Sequence, residues 1–168
     1  MKWELIIIPL ITTVFTTIIL YIKEIKMKNK STEREITEQK LKELYNKLFT
    51  YSLKYSDRLE KSFYIAHKGQ FEMDGEEFPV EDTLMIHETE PWDNLIKEIR
   101  EIIHEKVHLL DQEDLRNWHA IELIEVDEEF GKGSNVQKYK KLEMFLIDIS
   151  LRYFALYNKY HGKKVRNY

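Results

Sequence analysis

The stretch LIIIPLITTVFTTIILYI, residues 5–22, decides the predicted organisation of this chain, because it contains no charged side chain. A helix over these residues covers roughly 27 Å at about 1.5 Å of rise per residue, close to the hydrocarbon thickness of a bilayer. Trp3 and Tyr21 lie near its two ends, where aromatic side chains favour the membrane interface. The stretch from Leu5 to Ile22 therefore predicts a transmembrane helix that anchors the chain.

A cleaved secretory signal peptide is the alternative interpretation of this stretch. Such a peptide has a basic start, a shorter apolar run and a small-residue cleavage site. Only Lys2 precedes the run here, Glu4 offsets its charge, and no A-x-A pattern follows Ile22. We therefore predict an anchor that is retained in the mature protein.

The residues that flank the stretch predict its orientation. Lys23, Lys26, Lys28 and Lys30 follow it, whereas Lys2 alone precedes it. Positively charged flanks stay on the cytoplasmic side, and such lysines are attracted to anionic lipid headgroups. The pattern predicts a single-pass protein of the cell membrane whose C-terminal domain lies in the cytoplasm.

The composition narrows the classes of fold and of partner. The formal net charge is −4, so no overall positive field favours nucleic acid, and we expect no nucleic-acid partner. The chain has no cysteine, which excludes disulfides, iron–sulfur clusters, thiolate zinc sites and cysteine nucleophiles. Charged residues make up 33% of a chain with only five glycines and three prolines, which favours helices. We predict a mainly α fold, with an anchor and basic flank at residues 1–30 and a soluble helical domain at residues 31–168.

The first helix of the soluble domain is predicted from a cap and an apolar pattern. Thr32 and Glu35 have the spacing of a capping box, so Ser31 or Thr32 is predicted to begin this helix, unless the helix continues directly from the anchor. Apolar side chains then recur every three or four residues, which predicts a helix to about residue 66. They are Leu41, Leu44, Tyr45, Leu48, Tyr55, Leu59, Phe63 and Ala66.

Three further helices follow from similar patterns. The first opens at Pro91-Trp92-Asp93 and carries an apolar stripe as far as Leu110, and Asp114 is predicted to cap the second. The third runs from about Val136 to Tyr160 and ends at Gly162. Since no single helix buries its own stripe, the four helices are predicted to pack as a small bundle.

The segment near 68–90 breaks the helical pattern. Phe71, Met73 and Phe78 flank Asp74-Gly75, a dipeptide that is common in tight hairpin turns. A short β-hairpin or an ordered loop is predicted here.

One motif indicates chemistry, because His104-Glu105-Lys106-Val107-His108 matches H-E-x-x-H. Two histidines four residues apart on a helix bind one zinc ion, and Glu105 then serves as the general base for the bound water. Asp114 or Glu128 is the candidate for the third ligand. The spacing of Asp114 resembles metzincin-like proteases and that of Glu128 resembles thermolysin-like enzymes.

Two observations favour an ordinary solvated helix face over a zinc site. Asp111 stands where the metzincin-like pattern needs a glycine for a sharp turn. On a helical wheel centred on Ile99, His104 and His108 point away from the apolar stripe. The leading interpretation therefore has no cofactor, and zinc remains the alternative.

The order of apolar positions also resembles that of small prophage- and mobile-element-type membrane proteins. The span is followed by Leu41-x-x-Leu44-Tyr45-x-x-Leu48-Phe49, then by Leu95-Ile96-x-x-Ile99-x-x-Ile102-Ile103, His108-Leu109-Leu110-Asp111 and Trp118. Some proteins of this build act in superinfection exclusion, so the resemblance implies a role at the host membrane. It transfers no catalytic residue.

Three functions are consistent with the sequence. The leading hypothesis is a membrane-anchored, non-enzymatic helical protein that contacts the lipid bilayer and another membrane or membrane-proximal protein, with phage exclusion or defence as its role. The second is a membrane-anchored zinc metalloprotease. The third is a structural subunit of a membrane complex.

Overall fold

The computed structural model describes residues 4–66, 71–73, 76–78, 82–131 and 135–162, with the backbone alone at 4–14, 71–73 and 76–78. The predicted mainly α fold is confirmed, and antiparallel strand pairs interrupt it. The helices are α1 (Glu4–Lys40), α2 (Asn46–Glu60), α3 (Glu90–Glu105), α4 (Gln112–Glu129) and α5 (Asn135–Tyr160). The strands are β1 (Phe63–Ala66), β2 (Phe71–Met73), β3 (Glu76–Phe78) and β4 (Thr83–Ile86).

The chain divides into two compact units, Met1–Glu38 and Gln39–Tyr168. The first unit is most of α1, which carries Tyr21, Ile22 and the basic flank from Lys23 to Lys30. Trp3 and the side chain of Leu5 lie outside the described residues. Among the residues that the structure describes, no helix combines the length and the apolar character needed to cross a membrane.

Of the two predicted alternatives at Ser31 and Thr32, the structure has the continuous helix, because α1 runs through these residues without a break and neither residue caps a new helix. Ser31 Oγ donates to Glu35 Oε1 at 3.1 Å, and Thr32 Oγ1 donates to the Lys28 carbonyl at 3.1 Å. Both hydroxyls therefore bond to groups one turn away on the same helix. Ser and Thr side chains form such bonds within a helix when they do not cap its start.

The predicted helix to about residue 66 is wrong at its C-terminal end. A π-helical turn, Leu41–Tyr45, precedes α2, and α2 ends at Glu60. Phe63 and Ala66 instead lie in β1, which pairs antiparallel with β4 so that Phe63 is opposite Ile86. The backbone of this segment pairs with β4, which is distant in sequence. Apolar periodicity along one segment does not indicate such pairing.

The predicted hairpin corresponds to β2 and β3. These strands pair antiparallel with Phe71 opposite Phe78 and Met73 opposite Glu76. The expected turn residues, Asp74 and Gly75, lie outside the described residues.

The predicted continuous helix from Pro91 to Leu110 is also wrong, because α3 ends at Glu105. Lys106 leaves the helical region with φ −125° and ψ 27°, and Val107–Leu109 form a 3₁₀ turn. Asp111, with φ −69° and ψ 148°, is the N-cap residue of α4. The prediction that Asp114 caps this helix is therefore wrong.

Helix α5 lies at the centre of the second unit and packs against both α2 and α4. The Trp118 and Phe145 rings are 5.3 Å apart on the α4 side. On the α2 side, Phe49 stacks on Tyr153 at 4.1 Å. The buried apolar core draws on every helix of this unit and includes Leu44, Leu48, Leu59, Ile96, Ile99, Ile103, Ile121, Leu142, Leu146 and Ile149.

Candidate functional site

The three residues of the H-E-x-x-H motif lie at the end of α3 and just beyond it. His104 is 60% exposed, and its Nε2 atom lies 3.1 Å from Glu122 Oε1. Glu105 is exposed and its Oε1 atom lies 3.5 Å from Lys106 Nζ. His108 is exposed in the 3₁₀ turn. Since two positions four apart share a face only while a helix continues, the end of α3 at Glu105 removes the shared helical face that the motif needs.

The two candidate third ligands have other partners. Asp114 is buried and accepts a hydrogen bond from Tyr45, and Glu128 Oε2 lies 2.7 Å from Lys138 Nζ. In the parts of the chain that the structure describes, no group of three His, Cys, Asp or Glu side chains is placed to hold one metal ion. The zinc site remains a prediction that metal analysis of the purified protein tests.

Asp114 belongs to a group of four side chains that we call the polar centre, formed by Tyr45, Asp111, Asp114 and Arg152. Tyr45 Oη donates to Asp114 Oδ2 at 2.6 Å and accepts from the backbone N–H of Asp111 at 3.0 Å. Tyr45 is fully buried, and Asp114 is 1% exposed. The phenol therefore binds the N-cap residue of α4 and a carboxylate of its first turn at the same time.

Arg152 brings α5 into the polar centre. Its Nε atom lies 3.3 Å from Asp114 Oδ2 and 3.5 Å from Asp111 Oδ2, and one terminal nitrogen donates to Glu113 Oε2 at 2.6 Å. Lys40, at the C-terminal end of α1, forms an ion pair with Asp111. The polar centre thus joins the π-helical turn to the start of α4 and the middle of α5.

Burial determines the protonation of the polar centre. Burial raises the pKa of Asp114, although the hydrogen bond from Tyr45 and the charge of Arg152 act in the opposite direction. Burial and the contact with Asp114 likewise raise the pKa of the Tyr45 phenol. Asp114 Oδ1 is buried without a hydrogen-bond partner. The site therefore favours the protonated form of Asp114 more than water does.

A second buried charge, Lys138, connects α5 to α3 and α4. Its Nζ atom lies 3.0 Å from Asp93 Oδ1 and 2.7 Å from Glu128 Oε2. Burial acts to lower the pKa of Lys138, but the hydrogen bonds to the two carboxylates outweigh it and the pKa is raised. Tyr139 Oη donates to Asp93 Oδ1 at 2.9 Å, and burial together with this bond raises the pKa of Tyr139 to about 12. Glu128 therefore acts in helix packing.

The face of α5 that points away from the core carries exposed apolar side chains. We call Met144, Ile147, Leu151 and Phe154 the outer row, and they are 47% to 64% exposed. At 3.6 residues per turn they lie within a sector of about 80°. A groove of about 260 Å³ between α2 and α5 lies beside the middle of the row. Its lining includes Ser52, Leu53, Ser56, Ile147, Ser150 and Leu151.

The sequence predicted neither the outer row nor the polar centre. The members of the row are spaced by three, four and three residues, which is a helical pattern that the sequence shows. The buried face of α5 has the same kind of pattern, so spacing alone does not tell the two faces apart. Tyr45 was predicted only as an apolar member of a helix, and Arg152 drew no prediction. Nothing in their spacing indicates that Tyr45 and Asp114 meet, because the residues are distant in sequence.

Comparison with protein families, with curated proteins and with solved structures finds no match to this chain.

Proposed function

We propose that this chain is a membrane-tethered, non-enzymatic helical protein that acts by contact with another protein through the outer row of α5. The observation that carries this proposal is the outer row itself, a line of large apolar side chains directed to solvent. Exposed apolar residues that occur singly are normal, whereas a contiguous apolar patch is typical of an interaction surface.

The rest of α5 supports a contact role for the row. Ile149 and its buried neighbours form the core face of the helix, so apolar side chains occupy two opposite faces. Arg152 and Lys138 fix α5 on α4 through buried or half-buried ion pairs, so the row is held on a rigid element and is ready to bind.

The proposed membrane anchor brings the outer row close to a partner in the membrane. The predicted span from Leu5 to Ile22 holds the second unit at the membrane, and Lys23, Lys26, Lys28 and Lys30 place it on the cytoplasmic side. A tethered protein meets a membrane partner at a high effective concentration, so modest affinity suffices. Exclusion of incoming phage at the host membrane is the biological role that we propose for this contact.

The test compares two exposed leucines in the full-length chain. A photo-cross-linking residue at position 151, in the outer row, is expected to capture one defined protein in isolated membranes. The same residue at position 123 on α4 is the matched control, because Leu123 is 51% exposed and Leu151 is 64% exposed. Equal capture from both positions, or none from position 151, would contradict the proposal.

A cellular assay tests the proposed role. Cells that produce the chain are challenged with phage, and plating efficiency is compared for the native chain, Leu151→Lys and Leu123→Lys. Protection that is lost with Leu151→Lys and kept with Leu123→Lys supports contact through the row. Protection that survives Leu151→Lys, at equal protein levels in the membrane, excludes the row from this role.

A further inference from the structure

We propose that the C-terminal end of α5, together with the basic residues that follow it, binds the surface of an anionic lipid membrane. We call residues 157–168 the basic end. This inference goes beyond the proposed function, because the partner is lipid and not protein, and it does not use the outer row.

The basic end differs from the rest of the chain in charge. After Asp148 the sequence has no aspartate or glutamate, although the whole chain has a formal net charge of −4. The last twelve residues contain four basic side chains, which are Lys159, Lys163, Lys164 and Arg166. A lysine or arginine near an anionic membrane surface strengthens binding by about fivefold. The charge of this segment is therefore complementary to an anionic lipid surface.

Aromatic side chains accompany this charge. Tyr157 is 38% exposed, and its ring lies 4.3 Å from the ring of His161, which is also exposed. The Tyr160 ring lies 5.1 Å from the same histidine. Tyrosine side chains favour the boundary between lipid and water, where the ring is in an apolar region and the hydroxyl stays hydrated. Tyrosine and lysine together are typical of segments that lie on a membrane surface.

The fold places the C-terminal end of α5 beside the start of the second unit. Phe49 stacks on Tyr153, and Ser52, which is farther along α2, donates to the Leu146 carbonyl. Helices α2 and α5 are therefore antiparallel, and α5 also contacts the π-helical turn that follows Lys40. The predicted anchor precedes this point in the chain, so a bilayer is favoured over a soluble acidic protein as the anionic partner.

Two acidic side chains near this end of the unit already have cationic partners. Asp111 forms an ion pair with Lys40, and Glu113 Oε2 lies 2.6 Å from a terminal nitrogen of Arg152. These two carboxylates therefore do not cancel the positive charge of the basic end.

The test uses the full-length chain, in which the absence of native cysteine allows one fluorophore to be attached at a chosen position. His161→Cys carries the fluorophore at the basic end, and Leu123→Cys on α4 is the control, since Leu123 is 51% exposed. The labelled chains are reconstituted with vesicles of phosphatidylcholine, with or without phosphatidylserine. A small fraction of the lipid carries a nitroxide quencher on its headgroup, so quenching reports how close each position lies to the membrane surface.

We expect phosphatidylserine to increase the quenching at position 161 by about threefold or more and to leave position 123 unchanged. Lys163→Glu with Lys164→Glu should abolish this increase. Lys54→Glu with Lys61→Glu is the matched control, because it changes the net charge equally at exposed positions of α2 and just beyond it. The increase should survive in that control.

Each other result overturns the inference. Equal quenching at positions 161 and 123 indicates that the whole unit adsorbs without using the basic end. An increase that survives Lys163→Glu with Lys164→Glu, or that the control pair also removes, shows that the basic end does not recognise the lipid. If the chain stays with the vesicles while neither lipid quenches position 161, an acidic protein is left as the partner and the proposed anchor stands. If the chain separates from both kinds of vesicle, the proposed anchor fails as well.

Discussion

The polar centre and the outer row meet on α5, where two adjacent residues have opposite relations to solvent. Arg152 points inward to Asp114, whereas its neighbour Leu151 is 64% exposed. Ordinary burial preferences would place these two adjacent residues the other way round. The Arg152 side chain is half-buried, and Asp111, Asp114 and Glu113 supply it with acceptors. The Leu151 side chain borders the groove between α2 and α5 and stays mostly in solvent.

This difference separates the contacts that stabilise the fold from the surface that we propose for binding. A buried carboxylate is costly unless it is hydrogen-bonded, so the polar centre depends on each of its members. An exposed leucine contributes little to the stability of a lone chain, so it is free to serve an interface. Substitutions in the polar centre should therefore change unfolding, and substitutions in the outer row should change association.

The largest expected effect is the loss of stability in Tyr45→Phe. This change removes the donor to buried Asp114, which keeps only the longer bond from Arg152, and it removes the acceptor for the part-buried Asp111 N–H. Leaving such groups unpaired is expected to lower the free energy of unfolding by about 2–3 kcal/mol. Urea unfolding of the full-length chain in detergent micelles, followed by tryptophan fluorescence, measures the change.

Tyr55→Phe is the matched control on α2, since Tyr55 packs through its ring against Tyr51 and Trp92. It should lower stability by less than about 0.5 kcal/mol. If both phenylalanine variants unfold at the same urea concentration, the polar centre does not hold the helices together.

A smaller effect is expected in the pH dependence of Asp114→Asn. Burial raises the pKa of Asp114 above its ordinary value of 3.8, so the folded chain binds this proton more tightly than the unfolded chain. The resulting stabilisation is complete below about pH 4 and is lost as the pH rises through the folded pKa. Asparagine has no such proton, so the stability of Asp114→Asn relative to the native chain should increase as the pH rises from 4 to 7.

Urea unfolding at several pH values gives this difference directly. Tyr45, Asp111 and Arg152, which face Asp114 in the native chain, are the same residues in both chains. Parallel stability profiles for the two chains between pH 4 and pH 7 would show that Asp114 ionises as it does in water.

The sequence predicted the parts of this fold that depend on local patterns. The existence of α3, α4 and α5, the end of α5 at Tyr160 shortly before Gly162, and the exposure of His104 follow from apolar periodicity and turn residues. The sequence did not predict the break at Lys106 or the strand at Phe63–Ala66. The first depends on how the chain turns between two packed helices, and the second depends on pairing with a distant strand.

The candidate sites show the same limit. The outer row could be recognised in the sequence as a second apolar face of α5, but deciding which face is covered requires the packing of α2 and α4. Tyr45 has the spacing of a core residue, and only the fold reveals that its hydroxyl meets Asp114. Tertiary contacts between polar groups leave no periodic signal, so sequence reasoning misses them even where the helices are correct.

The third prediction concerns the outer row in a lone chain. Leu151→Lys should change the free energy of unfolding by less than about 0.5 kcal/mol, because the side chain is already mostly in solvent. The measurement is made at a protein dilution where the molar mass in detergent is that of one chain. A loss of about 2 kcal/mol or more at that dilution would mean that Leu151 belongs to the core and not to an interface.

The smallest expected effect is that of His104→Ala and His108→Ala. His104 contacts Glu122 at the surface, where such pairs contribute about 0–1 kcal/mol, and His108 is exposed. Because α3 ends at Glu105, His104 and His108 do not lie on one continuous helix that would align them. We therefore expect purified protein to hold no stoichiometric zinc. Near-stoichiometric zinc that both substitutions remove would restore the metalloprotease hypothesis.

In that case Glu105→Gln should abolish activity, since that carboxylate would be the base for the bound water. Activity retained in Glu105→Gln would instead leave contact through the outer row as the mechanism, because a surface contact needs no group at Glu105.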